Sequence, residues 1–203
     1  MGFAHDGGAT GTEANSGMGN VGMENGNTIK GAPVDGAAGA GDVIHARIWA
    51  LGDDIDTDII IPTEYLAMKT VEDMKPYAFS PLRPELAGMI APGDVIVAGK
   101  NFGCGSSREQ APEIIKALGV ACVVAKSFAR IFFRNAINNG LLLIEQGDLP
   151  DAVREGDGLD IVVNREIIYR GRSYPIAPLP ENMLDIIKAG GLVNAMRRKN
   201  GQC

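Results

Sequence analysis

Ser106, Ser107 and Arg108 stand together in the run Gly99-Lys-Asn-Phe-Gly-Cys-Gly-Ser-Ser-Arg-Glu109. These residue types point to the binding of an anion. Arginine can hold a carboxylate through two parallel hydrogen bonds. Gly99, Gly103 and Gly105 let the backbone turn sharply and come close to a ligand. If a helix follows, its free N–H groups and positive end add to the attraction. Such a field would favour the negative form of either serine. The run is not a GxGxxG fingerprint or a Walker loop, and neither serine has the glycine two positions on that a nucleophile elbow requires. Ser106 and Glu109 also spell a capping box, Ser-x-x-Glu. Pro112 weighs against that reading, because proline fits only the first turn of a helix. The helix is therefore expected to begin near Gln110, leaving Ser106 in the loop.

The elements around this run must hold it in place. Asp94–Ala98 reads as a strand after a Pro92–Gly93 turn, Ala111–Leu118 as a helix closed by Gly119, and Val120–Ala125 as a buried strand. Ser127–Asn139 reads as a helix capped by Ser127 and ended by Gly140, and Leu141–Glu145 as a further apolar strand. Strands apolar on both faces, alternating with helices, indicate a parallel sheet covered by helices. In such sheets ligands bind at the carboxyl ends of the strands, which is where the Ser106 run falls. Val43–Leu51 alternates apolar and polar and reads as another strand. Gly52–Asp58 is an acid-rich turn, and Glu64–Phe79 a loop with short helices. Leu159–Val163, Glu166–Tyr169 and Arg172–Ile176 form a small antiparallel set turning at Asn164-Arg165 and Arg170-Gly171. Glu181–Ala189 and Leu192–Arg198 read as two C-terminal helices.

The helix after Ser127 carries Arg130, Arg134 and Asn138 on one face. Phe128, Ile131 and Phe132 are expected to face inward. Arg134 reads as part of a solvated basic face. Asp53, Asp54, Asp56 and Asp58 lack calcium-loop spacing and its terminal glutamate, so they read as turn formers and loop anchors.

Composition narrows the function classes. The chain has 203 residues, 45% hydrophobic and 22% charged, with a formal net charge of -6. Acidity speaks against nucleic-acid binding, and a 5% aromatic content leaves few stacking platforms. No apolar run approaches the roughly 20 residues of a membrane span. Cys104, Cys122 and Cys203 are odd in number and far apart, which implies a reducing, cytoplasmic setting without a disulfide framework. With no CxxC pair, this chain does not read as a metal or iron–sulfur holder on its own. His5 and His45 are the two histidines, so the body beyond His45 has none for a serine–histidine triad. Residues 1–42 are glycine-rich without apolar periodicity and read as a disordered extension. They lack the features of a secretory signal or transit peptide. Residues 43–203 read as one domain.

Several stretches together identify a resemblance: Gly52-Asp-Asp-Ile-Asp-Thr-Asp58, Ile60-Ile-Pro62, Tyr65-Leu66, Gly99–Glu109 and Ala125-Lys-Ser-Phe-Ala-Arg-Ile-Phe-Phe-Arg-Asn135. In this order and spacing the chain from about Val43 onward resembles the small subunits of the aconitase-like hydro-lyases, most closely those of the isopropylmalate dehydratases. The resemblance implies an α/β, β/β/α swivelling (lid) domain, with a central largely parallel sheet covered by helices and a small antiparallel set near the C-terminus. It implies a large aconitase-like partner subunit holding a 4Fe–4S cluster, with no metal on this chain. It further implies dehydration and rehydration of a dicarboxylic hydroxy acid. By position Ser106 matches the family's base, and Arg108 the arginine that grips a substrate carboxylate. Ser107 would lend a hydroxyl or backbone N–H. Gly103, Gly105, Glu109, Asp56, Asp58, Ser127 and Arg130 would position the loop. Cys104 reads as packing or incidental.

The family's substrate loop follows Tyr65 and Leu66. Homoaconitase-like members place an arginine just after that pair. Here Ala67 and Met68 follow, and methionine suits an isopropyl or methyl group, although Lys69 can still reach a carboxylate. The expectation is isomerisation of 2- and 3-isopropylmalate in leucine biosynthesis. Homoaconitase and dehydratases of citraconate, 2-methylmalate or 2,3-dimethylmalate remain open. Two readings from other classes are a stand-alone anion-binding module and a phosphate or nucleotide binder using Gly103–Ser107. A module would bind a dicarboxylate tightly alone, whereas a lid needs its partner. The lack of a Walker or Rossmann pattern counts against the phosphate binder.

Overall fold

The computed structural model describes residues 1–2 and 40–201. The expectation for the glycine-rich extension, and His5 and Cys203 with it, therefore falls on residues mostly outside the described ones. The elements run β1 (Val43–Ala50), α1 (Thr57–Ile60), α2 (Val71–Met74), α3 (Leu86–Met89), β2 (Val95–Ala98) and α4 (Gln110–Ala117). Then come β3 (Cys122–Ala125), α5 (Arg130–Asn138), β4 (Leu142–Glu145), α6 (Leu149–Ala152), β5 (Gly158–Val162), β6 (Glu166–Tyr169), β7 (Arg172–Pro175), α7 (Glu181–Lys188) and α8 (Leu192–Lys199). Two 3-10 turns, Thr63–Ala67 and Lys75–Tyr77, lie within the first connection.

The strands form one sheet in the order β4-β3-β2-β1-β5-β6-β7. β1 joins its two halves. Its first part, Val43 to Arg47, pairs antiparallel with β5, and its second part, Ile48 to Ala50, pairs parallel with β2. The expected parallel block and antiparallel set are thus continuous through a single strand. β2, β3 and β4 bury side chains on both faces, as their unbroken apolar runs require. Ile96, Ala98, Val123, Ala125 and Leu143 face one core with α1 to α4. Val95, Val97, Cys122, Val124, Leu142 and Ile144 face the other, covered by the antiparallel strands and α7. The Arg170-Gly171 turn has positive φ at both residues (49° and 76°), the geometry of a two-residue hairpin.

Two local expectations need correction. α1 forms where a turn was expected, because Asp56 caps it by accepting from the Ile59 N–H. α5 starts at Arg130 with Ala129 at its N-cap and no side-chain cap bond, so Ser127 does not cap it. Phe102 holds that stretch extended. Its N–H donates to the Ser127 carbonyl at 3.0 Å and its carbonyl accepts from Ala129 at 2.9 Å. α4 begins at Gln110, and no capping bond from Ser106 is made.

Candidate active site

Beyond Ala98 the chain stays stitched to both neighbours, extending the ladder of β2. The Gly99 N–H donates to the Gly52 carbonyl, and the Gly99 carbonyl accepts from Lys126. Gly103 N–H donates to Ile55 at 2.7 Å, and the Cys104 carbonyl accepts from Thr57 at 2.9 Å. The loop that bears Ser106 is therefore gripped by the segments leaving β1 and β3. The turn itself needs glycine: Gly103 and Gly105 have φ of +77° and +90°. A side-chain carbon on Gly103 would lie 2.1 Å from Cγ of Phe132. Phe102, fully buried, meets Phe128 and Phe132 edge to face beneath the turn.

Ser106 is exposed and accepts a hydrogen bond at Oγ from Nε of Arg108 at 2.9 Å. The Thr57 hydroxyl donates to the Ser106 carbonyl at 2.9 Å and stands 3.4 Å from Ser106 Oγ. Thr57 is 2% exposed, and the Asp56 cap on α1 fixes it there. Arg108 Nη1 donates to the Ile61 carbonyl at 2.7 Å, and Nη2 donates to Asp58 Oδ1 at 2.5 Å and Thr63 Oγ1 at 2.8 Å. Together with the Nε bond these use four of the five N–H donors of a guanidinium. The side chain is only 12% exposed, so the ion pair with Asp58 is largely shielded on the arginine side.

The acid-rich turn supplies anchors. Asp53 accepts from the Lys100 N–H at 2.7 Å and Asp54 from the Asn101 amide at 2.8 Å. Ser127 Oγ accepts from the Asn101 N–H at 2.9 Å. Ser106 opens onto a cavity of about 320 Å³ whose walls include Thr57, Ser107, Arg108, Arg130, Ile131 and Asn135. Arg130 and the Ser107 hydroxyl make no hydrogen bond or ion pair among the described residues, so both are free at this wall. Glu109 is exposed beside it.

The structure does not bring every expected residue to this cavity. Tyr65, Leu66 and Met68 pack on the outer margin of the core, and Lys69 is exposed; none of the four lines the Ser106 cavity. They connect to it through Thr63 and Ile61, both held by Arg108. The Tyr65 ring stacks on Tyr77 at 4.0 Å, and burial, followed by the charge of Glu64, raises its phenol pKa. Ile131 was expected inward but is 57% exposed at the cavity rim, because Phe132 and Ala136 take the core-facing side of α5. Sequence reasoning did not single out Thr57, although it stands between Asp56 and Asp58. Asn135 was not singled out either, although it closes the Ala125–Asn135 stretch.

Among the described residues no group of three His, Cys, Asp or Glu side chains is placed to hold a metal ion. Cys122 is sealed in β3, and burial pushes its thiol far up. Cys104 is half-buried. Burial and the charges of Asp56 and Asp54 raise its pKa, keeping it a thiol and a poor ligand. No helix among the described residues is long and apolar enough to cross a membrane.

A glycine-turned serine loop at the strand ends of this curled α/β sheet defines an aconitase-type domain. Residues 90–149 match the family model described as the aconitase C-terminal domain. The chain belongs to the family of 3-isopropylmalate dehydratase small subunits. Over 155 residues it is 76% identical to the 3-isopropylmalate dehydratase small subunit of Lachnospira eligens, covering 76% of this chain and 94% of that protein. It is 49% identical to small subunit 1 of Archaeoglobus fulgidus, covering 72% and 92%. The crystal structure of 3-isopropylmalate dehydratase from Methanocaldococcus jannaschii superposes with a TM-score of 0.73 at 39% identity, covering 78% of this chain and 95% of that one.

Proposed function

We propose that this chain works with a large, aconitase-like subunit to interconvert 2- and 3-isopropylmalate by dehydration and rehydration, in the cytoplasm and as a step of leucine biosynthesis. The carrying observation is the hydrogen bond from Arg108 Nε to Ser106 Oγ. A serine is a proton acceptor only if its negative form is held, and a charged donor already in place does this without reorganisation at the moment of reaction.

In this reading Ser106 Oγ takes the proton from the carbon next to a carboxylate and returns it during rehydration. Arg108 holds the charge on Ser106 through Nε. Its ties to Asp58, Thr63 and Ile61 leave one N–H for a substrate carboxylate. Arg130 and Ser107, both free at the cavity, complete that carboxylate site. Thr57 fixes the Ser106 backbone from beneath. Gly103 and Gly105 set the turn, Glu109 leads into α4, and Ser127 holds the Asn101 end of the loop. Tyr65, Leu66, Met68 and Lys69 lie outside the Ser106 cavity, behind Thr63 and Ile61, and in this reading meet the substrate's alkyl group only when the partner closes over the site. A 4Fe–4S cluster in the large subunit supplies the Lewis acid for the leaving hydroxyl. Ser106 is exposed, so closure by the partner is what excludes water from it.

The test is anaerobic co-expression with the large subunit, following absorbance of the unsaturated intermediate formed from 3-isopropylmalate. Turnover that needs both chains and collapses in Ser106→Ala, with the complex intact, is the expected result. Turnover of citramalate or homocitrate in place of isopropylmalate would keep the chemistry and replace the substrate. Absence of a complex and of turnover with each of these acids would overturn the reading in favour of a stand-alone anion-binding module.

A further inference from the structure

The hydrogen bonds around Ser106 leave Arg108 short of donors. Four of its five N–H groups are committed, to Ser106, Ile61, Asp58 and Thr63. A two-pronged grip on a carboxylate needs two parallel N–H groups. Arg108 keeps one, so it reaches a single oxygen. An ionised carboxylate offers about four lone-pair positions, and the rest must be met by other side chains. The Thr57 hydroxyl is taken by the Ser106 carbonyl. Apart from Ser106 itself, three lining side chains carry N–H or O–H groups that bond to nothing among the described residues: Ser107, Arg130 and Asn135.

Asn135 differs from the other two. Ser107 is exposed in the loop, and Arg130 is exposed at a wall shared with a neighbouring cavity. Asn135 is half-buried and stands well inside α5. Phe132 and Ala136 anchor that helix in the core, and Phe132 meets Phe102 edge to face beneath the Ser106 turn. The adjacent row of α5, Ile131 and Asn135 one turn apart, is left at the cavity. The carboxamide is thus carried on the same aromatic base as the Ser106 turn. Polar groups taken partly out of water are ordinarily bonded, yet this one has no partner among the described residues. The described lining holds two guanidiniums and no carboxylate. An amide N–H at such a wall suits an anion, and it adds a donor without adding charge.

We propose that Asn135 is a substrate-binding residue, whose amide N–H donates to a carboxylate oxygen that Arg108 leaves unmet. This rests on the reading that Ser106 acts on a dicarboxylic hydroxy acid. The two donors come from different elements, Arg108 from the loop before α4 and Asn135 from α5. A carboxylate held by both is clamped between those elements, which fixes the carbon beside it relative to Ser106.

The experiment uses the enzyme assembled with the large subunit and compares wild type, Asn135→Ala and Asn135→Asp, the last nearly equal in shape. Steady-state rates with 3-isopropylmalate give KM and kcat from pH 8 to pH 6. Titration of the large subunit gives its dissociation constant, and thermal melting gives stability. Asn135→Ala is expected to raise KM by about 10-fold or more, the scale of one hydrogen bond to a charged group, with kcat within about threefold. Asn135→Asp is expected to raise KM further at pH 8, where two carboxylates face each other. Arg108 and Arg130 are the charged groups that share the cavity with it. As pH falls the introduced acid takes up a proton and regains a donor, so the ratio of variant to wild-type KM should shrink toward pH 6. A wild-type KM in both variants would overturn the assignment and leave the proposed activity standing. A raised KM ratio that is flat with pH and follows lost stability would overturn it in favour of packing. Weaker subunit association with a wild-type KM at saturation would overturn it in favour of a contact with the partner. A wild type that does not turn over 3-isopropylmalate would overturn both readings.

Discussion

Nε of Arg108 lies 2.9 Å from Oγ of Ser106, while the far end of the same guanidinium is locked onto Asp58, Thr63 and the Ile61 carbonyl. One side chain thus joins the candidate base to α1 and the turn after it. A lysine ammonium is a point charge and cannot span these acceptors. Arg108→Lys is expected to lower kcat by about 10²-fold or more, the scale of losing one donor to a developing anion. It should also lower stability by about 1–3 kcal/mol. Steady-state turnover and calorimetry of the complex check both; an unchanged kcat would separate Arg108 from the chemistry.

Thr57→Val keeps the shape but removes the donor to the Ser106 carbonyl from a residue that is 2% exposed. The expected cost is about 1–3 kcal/mol, because a partly buried carbonyl loses its partner. kcat should fall with little change in KM, and Thr57→Ser should recover most of both. Recovery of stability without recovery of kcat would reduce Thr57 to a packing role.

Gly103→Ala places a carbon against Phe132 at a φ of +77°. The left-handed backbone costs a non-glycine residue about 1–2 kcal/mol, and overpacking a further ~1–3 kcal/mol. Combining it with Phe132→Ala should relieve the clash, so the double variant will be less destabilised than the two single losses added together. Chemical denaturation of the four proteins measures this, and simple additivity is the contrary result.

Burial, with a smaller part from the charge of Glu109, raises the pKa of Glu113. A carboxyl with a raised folded pKa binds more protons folded than unfolded, so its penalty is absent in acid and appears as pH rises through the folded value. Glu113→Gln should therefore raise the melting temperature at pH 7 and lose that advantage toward pH 4. A difference that is the same at both pH values would remove Glu113 as the cause.

Met68→Arg should move relative kcat/KM toward a tricarboxylate such as homocitrate. Paired rate measurements on homocitrate and 3-isopropylmalate decide it; a constant ratio would show that Met68 is not the selector.

Much of this was legible from residues alone, where local and global signals agree. β2, β3 and β4 announce themselves because both faces are buried, and Pro112 places the start of α4 at Gln110. Arg170-Gly171 marks its hairpin through the conformation it needs. What was not legible depends on partners distant in sequence. Ser127 has the chemistry of a cap, but pairing with Phe102 delays the helix, and its hydroxyl accepts from Asn101 instead. Ile131 and Phe132 both read as inward-facing, but only Phe132 enters the core, where it meets Phe102 edge to face. α1 is too short to carry a periodic signal. The engagement of Arg108 by its own chain is equally invisible, since Asp58 lies fifty positions away.

The ladder that continues from β2 through Gly99, Phe102 and Gly103 binds the Ser106 loop to its neighbours on both sides. In the proposed role, Ser106 is a base whose backbone is held from both sides. A misfit in how the two chains seat against each other would, in the proposed reaction, pass through that backbone into the distance between Ser106 Oγ and the reacting carbon. Accuracy of assembly then becomes a kinetic variable: a small sliding error between subunits would be paid at the reacting carbon, far from where it arose.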